Sequence, residues 1–324
     1  MKELIRYQDY FADTLGRLDF PSEPAELFEP IRYTLAMGGK RMRPVLVLLG
    51  AELMGGKLED AQHAALAIEV FHNFTLLHDD IMDEAPLRRG MATVHTKWNS
   101  NIAILSGDVM LVEAYKLISK TPTSALPEIL AVFNTAATDV CEGQQWDMNF
   151  EGQDDVNLSD YLNMIRLKTA VLLGAALQIG ALCANAEKQD AQNLYEFGCH
   201  LGIAFQLQDD ILDVFGDPEI FGKQAGGDIL SNKKTYLKLR ALEKASTEQV
   251  SELKKWYSSK EFDSVEKVTA VTQLFENLNV REDAEMEMRR HYEIALNSLH
   301  NVDGSESHKS VLEHFAKELL VRVK

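Results

Sequence analysis

Apolar residues recur at intervals of three and four along almost the whole chain, while strict alternation of apolar and polar positions is scarce. The first spacing keeps one face of an α-helix apolar; the second would mark half-buried strands. The pattern breaks at residues that stop helices: Pro21 and Pro24, Gly38-Gly39, Gly55-Gly56, Gly90, Pro122, Gly216 with Pro218, and Gly226-Gly227. Between these breaks it predicts helices over about 3–18, 24–36, 43–54, 59–84, 98–119, 124–150, 158–185, 188–215, 229–244, 247–257, 262–275, 281–299 and 306–321. No Ser/Pro/Gly-rich linker and no fixed-period repeat interrupts them, so the expectation is an all-α protein with one domain over 1–324. The run 170–186 is the longest of low polarity. It is rich in small side chains and broken by Gln178, which fits a buried core helix better than a membrane span.

Composition narrows the function more than the fold. Eight prolines in 324 residues agree with a helical chain. The 33 Lys+Arg against 50 Asp+Glu leave a net charge of −17, the wrong sign for a nucleic-acid binder, although a local basic site can still hold an anion. Cys141, Cys183 and Cys199 are odd in number, lack metal-type spacing and lie in apolar helical stretches. Buried free thiols and a cytoplasmic location are expected. The start, MKELIRYQDY, has no apolar run after its basic residue and does not read as a signal peptide.

One short pattern occurs twice. Asp79-Asp80-Ile81-Met82-Asp83 and Asp209-Asp210-Ile211-Leu212-Asp213 both read D-D-x-x-D after an apolar helical lead. Positions i and i+4 share a helix face, so Asp79 with Asp83, and Asp209 with Asp213, are carboxylates one turn apart. Such pairs repel by a few tenths of a kcal/mol, and both lie near the C-terminal ends of their predicted helices, where anions are disfavoured. A divalent cation would reverse that balance; Mg²⁺ is commonly held by one or two carboxylates together with substrate phosphates and water. If the two helices face each other across a bundle, a site for more than one metal ion results. The bland reading, two solvated acidic helix ends, is weakened by the repetition. An EF-hand lacks its Gly and distal Glu here, and the di-iron pattern has only one copy, Glu69-Val70-Phe71-His72.

Cations accompany the acids. Gly38-Gly39-Lys40-Arg41-Met42-Arg43-Pro44 opens an apolar helix, and a helix start with Lys and Arg is a natural anion site. Arg88-Arg89-Gly90 follows the first cluster, Lys168-Thr169 opens an apolar run, and Gly222-Lys223 and Asn232-Lys233-Lys234-Thr235 follow the second cluster. Two basic sets beside two acidic sets suggest two metal-bridged diphosphates.

In their order along the chain, GGKRMRP, LLHDDIMDEAPLRRG, GQQWD, RLKTA, FQLQDDILDVFGD and GKQAGGDILSNKKT resemble the motifs of the trans-type isoprenyl diphosphate synthases, the polyprenyl synthetase family. The resemblance implies a single bundle of antiparallel helices around a deep cavity, usually as a homodimer, condensing isopentenyl diphosphate with an allylic diphosphate. It implies about two to three Mg²⁺ ions on Asp79, Asp83 and Asp209, supported by Asp80, Asp210 and Asp213. It assigns Arg88, Lys168, Lys223 and Lys233 to the allylic diphosphate, and Lys40, Arg41, His72 and Arg89 to isopentenyl diphosphate. Gln206, Gln144 and Asp147 match polar positions near the reacting carbons, and oxygens of Thr169 and Gln206 are candidates for stabilising a carbocation. Arg322 and Lys324 are similar to a basic tail that closes over the isopentenyl site in some members.

Residues four and five before Asp79 are Thr75 and Phe74, and in the family bulky groups there floor the cavity. Thr75 shares Asp79's face; Phe74 lies about 140° around and would close one wall. A single aromatic with an uninterrupted D-D-x-x-D resembles the family's C20 producers, so the resemblance implies a C20 product, with C15 as the alternative. A terpene cyclase would normally replace the second D-D-x-x-D, a non-catalytic subunit would usually lose one cluster, and a metal-storage bundle would bind metal without diphosphate.

Overall fold

The computed structural model describes residues 2–216, 226–259 and 262–320. It is almost wholly helical: α1 (Lys2–Gly16), α2 (Ala25–Ala36), α3 (Met42–Leu53), α4 (Leu58–Met82), a two-residue hairpin of β1 (Leu87–Arg88) and β2 (Met91–Ala92), then α5 (Val94–Lys97), α6 (Ser100–Ile118), α7 (Leu126–Gly152), α8 (Leu158–Ile165), a π-turn (Arg166–Ala170), α9 (Val171–Cys183) and α10 (Lys188–Phe215). After these come α11 (Gly227–Leu230), α12 (Tyr236–Lys244), α13 (Thr247–Ser258), α14 (Ser264–Asn277), α15 (Val280–His300) and α16 (Glu306–Leu320).

Contacts group the chain into two compact units: Met1–Ala136, Leu172–Tyr195 and Asn301–Val311 in the first, Ala137–Val171, Glu196–His300 and Leu312–Lys324 in the second. In the first, α4 packs on α6 and α3, and α1, α2 and α5 lie against these. Helix α3 has no polar face: Val45 through Leu49 are all fully buried. Backbone closeness makes this possible. A Cβ on Gly50 would stand 2.6 Å from the Leu177 carbonyl oxygen, and one on Gly180 would overlap the Val47 carbonyl, so α3 and α9 touch through bare backbone. The stretch Leu158–Cys183 is long and apolar enough to cross a membrane, but 78% of its most apolar window is buried inside the protein, as a core helix requires.

In the second unit, α12 packs on α15, α8 and α14, and Ile203, Leu207 and Ile211 of α10 join Leu237, Leu253, Val271 and Phe275 in one apolar cluster. Side-chain caps start several helices. Asn157 and Asp160 form a reciprocal capping box on α8, Ser246 and Gln249 do so on α13, and the Asp263 carboxylate accepts from the Val265 and Glu266 N–H groups of α14.

Four details differ from the periodicity. The helix expected over 98–119 starts at Ser100, because the Asn99 side chain caps it there by accepting from the Ile102 N–H. The stretch expected as one helix over 158–185 contains the π-turn. The helix expected over 229–244 stops at Leu230 and restarts at Tyr236. Cys183 and Cys199 are buried, whereas Cys141 is exposed: it lies on the outer face of α7, so the expectation of a buried thiol fails there.

Candidate active site

Helix α4 delivers the first acidic cluster at its last turn, with Asp83 as its exposed C-cap. Neighbouring aspartates take opposite roles because consecutive helical residues are about 100° apart. Asp80 turns inward, is buried, and accepts from Arg88 Nε at 2.7 Å; Asp79 is half-buried and lies 3.3 Å from Arg88 Nη2. Burial pushes the Asp80 carboxyl up from its ordinary value, and the Arg88 guanidinium opposes that.

The hairpin supplies both arginines. Leu87 pairs with Ala92 and Arg88 with Met91, leaving Arg89-Gly90 as the turn. Both turn residues have positive φ, 54° and 77°. Gly90 takes this freely; for Arg89 the left-handed conformation costs on the order of 1 kcal/mol, offset by where it sends the side chain. The Arg89 guanidinium donates to the Gly38 carbonyl and lies over Gly39, where a Cβ would stand 2.7 Å from Arg89 Cζ. The glycine pair is thus the seat of an arginine 50 residues further on.

Around that seat is a cavity of about 400 Å³ lined by Gly39, Lys40, Arg41, Met42, Arg43, Glu69, His72 and Arg89. Lys40, Arg41, His72 and Arg89, assigned together from sequence, are together here. Their roles divide. Arg41, itself at φ 50°, spends its guanidinium on the buried Glu69 carboxylate and the Leu35 carbonyl. Arg43, left out of the sequence assignment, lies 3.1 Å from His72 Nε2, and its buried Nε finds no acceptor among the described residues. Burial lowers Arg43 to about 10, and burial among Arg43, Arg89, Arg88 and Arg41 holds His72 well below its ordinary value and hence neutral. The cue available in the sequence was the third cation of Lys40-Arg41-Met42-Arg43.

The second cluster ends α10 in the other unit. Asp210 is its buried member: Tyr161 Oη donates to one carboxylate oxygen, Gln206 Nε2 lies 3.4 Å from the other, and the Tyr236 N–H is 3.3 Å from the first. These donors are neutral, so burial wins and raises the Asp210 carboxyl to about 7. Asp209 is half-buried. Asp213 ties down the following segment, accepting from the Asp228 N–H at 2.9 Å through Oδ2 and from the Gly226 N–H at 2.6 Å through its carbonyl.

That segment carries Lys233, whose side chain is 61% exposed and lies 3.9 Å from Asp228. Its corner, Asn232, is left-handed at φ 59° and is held from both ends: Lys267 Nζ donates to its Oδ1 at 2.6 Å and Lys238 Nζ to its carbonyl at 3.1 Å. Both amines lie over the Tyr257 ring, at 5.4 and 3.7 Å. Sequence reasoning missed these two buried lysines, which are remote in the chain from the residues they hold. Lys168 sits in the π-turn and donates to Asp147 at 2.6 Å. Thr169 and Gln206 are half-buried, and Gln144 Nε2 is enclosed with no partner among the described residues. Lys223, Arg322 and Lys324 lie outside the described residues.

Among the described residues no three His, Cys, Asp or Glu side chains group closely enough to cage a metal. Pairs of carboxylates one turn apart suit Mg²⁺, whose remaining positions go to phosphate and water.

The polyprenyl synthetase family model matches residues 24–275. The chain belongs to the polyprenyl synthetase family. It is 42% identical over 225 residues to a geranylgeranyl diphosphate synthase of Methanosarcina mazei, covering 69% of each chain. It is 40% identical over 244 residues to a geranylfarnesyl diphosphate synthase of Aeropyrum pernix, covering 73% of this chain and 77% of that one. A crystal structure of a geranylgeranyl pyrophosphate synthase superposes with a TM-score of 0.94 at 43% identity over 99% of both chains. The fold is the all-α isoprenoid synthase fold, and the protein is a prenyltransferase.

Proposed function

We propose that this prenyltransferase joins isopentenyl diphosphate head to tail to an allylic diphosphate and makes C20 geranylgeranyl diphosphate. The observation that carries the reading is the basic cavity of the first unit, where Arg43 offers a buried Nε–H that has no partner among the described residues, beside a neutral His72. In that reading Lys40, Arg43, His72 and Arg89 hold the diphosphate of isopentenyl diphosphate, and Arg41 keeps Glu69 paired beneath them. Arg88, Lys168, Lys223 and Lys233 hold the allylic diphosphate.

Asp79, Asp83 and Asp209 are the groups that would hold Mg²⁺, which would neutralise charge on the departing diphosphate. In that reading Arg88 and Lys168 would add fixed positive charge to the diphosphate as the allylic C–O bond ionises, where charge-assisted contacts count most in the transition state. The allylic cation is then attacked by the isopentenyl double bond, and the proton lost from that chain is taken by the released diphosphate. Thr169 and Gln206 offer oxygens that would stabilise the cation.

Product length is proposed from Phe74. Its ring is buried between Phe71 and His78, with centroids 5.7 and 4.8 Å away, and Thr75 spends its hydroxyl on the His72 carbonyl. One aromatic wall supports C20 over C15, as do the geranylgeranyl relatives. The Aeropyrum relative makes C25 the outcome to exclude. A homodimer in the cytoplasm completes the proposal; an exposed apolar stripe on α6, Ile104, Leu105, Val112 and Tyr115, supports the dimer. The test of length is Phe74→Ala: chromatography of the product should show a longer chain, and an unchanged length would remove Phe74 from the account.

A further inference from the structure

A π-turn inserts one extra residue into a helix and rotates everything beyond it by about 100°. Nothing in Arg166-Leu167-Lys168-Thr169-Ala170 demands one: the segment has no Gly and no Pro, and the Val171 N–H reaches back five residues to the Arg166 carbonyl. The cause lies in the neighbours. A Cβ on Gly143 of α7 would stand 2.6 Å from Lys168 Cα and 2.7 Å from the Leu167 carbonyl carbon. A Cβ on Gly202 of α10 would stand 2.7 Å from Ala170 Cα and 2.8 Å from its Cβ. Bare backbone therefore presses on the turn from two helices. Four residues beyond Gly143, on the same face of α7, Asp147 accepts from Lys168 Nζ at 2.6 Å. In an uninterrupted helix Lys168 would fall within about 20° of Tyr161, whose hydroxyl is committed to Asp210 on α10. The turn sends the amine to α7 instead.

We propose that Gly143 and Gly202 are positioning residues for the transfer reaction: they admit α7 and α10 against the π-turn, hold its extra residue in place, and so aim the Lys168 amine and Thr169. The inference rests on the reading of Lys168 as a ligand of the allylic diphosphate, and adds what sets its direction. A methyl group at either glycine would push the turn toward a regular helix and swing the amine away from Asp147.

The experiment is a double-mutant cycle on the purified full chain, with Gly143→Ala, Lys168→Met and the double variant. Far-UV circular dichroism checks that each is folded, and kcat and both KM values are measured. Gly143→Ala should raise the allylic KM and lower kcat by about tenfold each, with the isopentenyl KM within about twofold of the parent. The double variant should be no worse than Lys168→Met alone, because the glycine acts through the lysine. Gly152→Ala, on the same helix with open space at its Cβ, should change neither KM. If Gly143→Ala does not fold, Gly202→Ala enters the same cycle, since its methyl meets the small Ala170. Fully additive losses, or equal increases in both KM values, would overturn the inference. If Lys168→Met alone leaves the allylic KM unchanged, the diphosphate role of Lys168 fails, and the inference falls with it for that separate reason.

Discussion

The two Asp-Asp-x-x-Asp clusters share a pattern and differ in what surrounds them. In both, the second aspartate points inward and is buried, while the first is half-buried at the surface of its helix. Asp80 meets a cation, Arg88, which the proposed function assigns to the allylic diphosphate. Among the described residues Asp210 meets neutral donors, Tyr161, Gln206 and the Tyr236 backbone. The fifth position diverges too: Asp83 is an exposed helix cap, whereas Asp213 anchors the segment that presents Lys233. The same D-D-x-x-D pattern thus gives one cluster paired with an arginine of the hairpin and one built into the scaffold.

If the outward aspartates of both clusters serve the reaction, removing either should be equally severe. Asp79→Ala and Asp209→Ala should each cut turnover by about a thousandfold in a condensation assay, with far-UV circular dichroism unchanged. Loss in only one would break the symmetry assumed between the clusters.

The basic cavity sharpens the comparison on the first side. Arg43→Ala should raise the isopentenyl KM by about tenfold or more and leave the allylic KM little changed. Arg41→Ala should cost about 3 kcal/mol in urea unfolding, because it strips the buried Glu69 of its cation. Swapped outcomes would mean that the two arginines have been assigned the wrong way round.

A smaller difference is expected between the inward aspartates. Asp80→Asn removes a charge-assisted bond and should cost about 2 kcal/mol. Asp210→Asn keeps an acceptor oxygen for Tyr161 and should cost about 1 kcal/mol or less. Equal losses would contradict the distinction drawn from their partners.

Acid should act on the second unit through His291. Its ring lies 2.8 Å from His200 Nδ1, with Arg290 and Glu287 also at hand, and burial, Arg290 and His200 lower it to about 4. Unfolding restores an ordinary value near 6.5, so between about 4 and 6.5 the unfolded chain binds more protons. The contribution is complete above about pH 6.5 and is lost as the pH falls toward 4. Thermal melts should show the Tm dropping across that window, by less in His291→Gln; identical slopes would remove His291 from the acid response.

Much of this was legible in the sequence, and the failures share a physical origin. Helix existence and extent followed from apolar spacing, because each helix buries one stripe against its neighbours. The acidic clusters and the cations of the basic cavity were visible as local patterns. What spacing does not encode is which residue of a local group wins a distant partner. Asp210 turns inward for Tyr161, 49 positions earlier; Arg41 rather than Arg43 meets Glu69; and Lys267 holds Asn232, breaking the helix expected over 229–244. The π-turn was invisible for the same reason, since Gly143 and Gly202 lie on other helices.

The most direct measurement is incubation of the purified chain with labelled isopentenyl diphosphate and dimethylallyl, geranyl or farnesyl diphosphate, with Mg²⁺, with EDTA, and with Mg²⁺ restored, followed by product-length analysis. The account predicts C20 product from the chain alone, abolished by chelation and recovered with Mg²⁺. No product from the chain alone, turnover that survives chelation, or accumulation of C25 would contradict it.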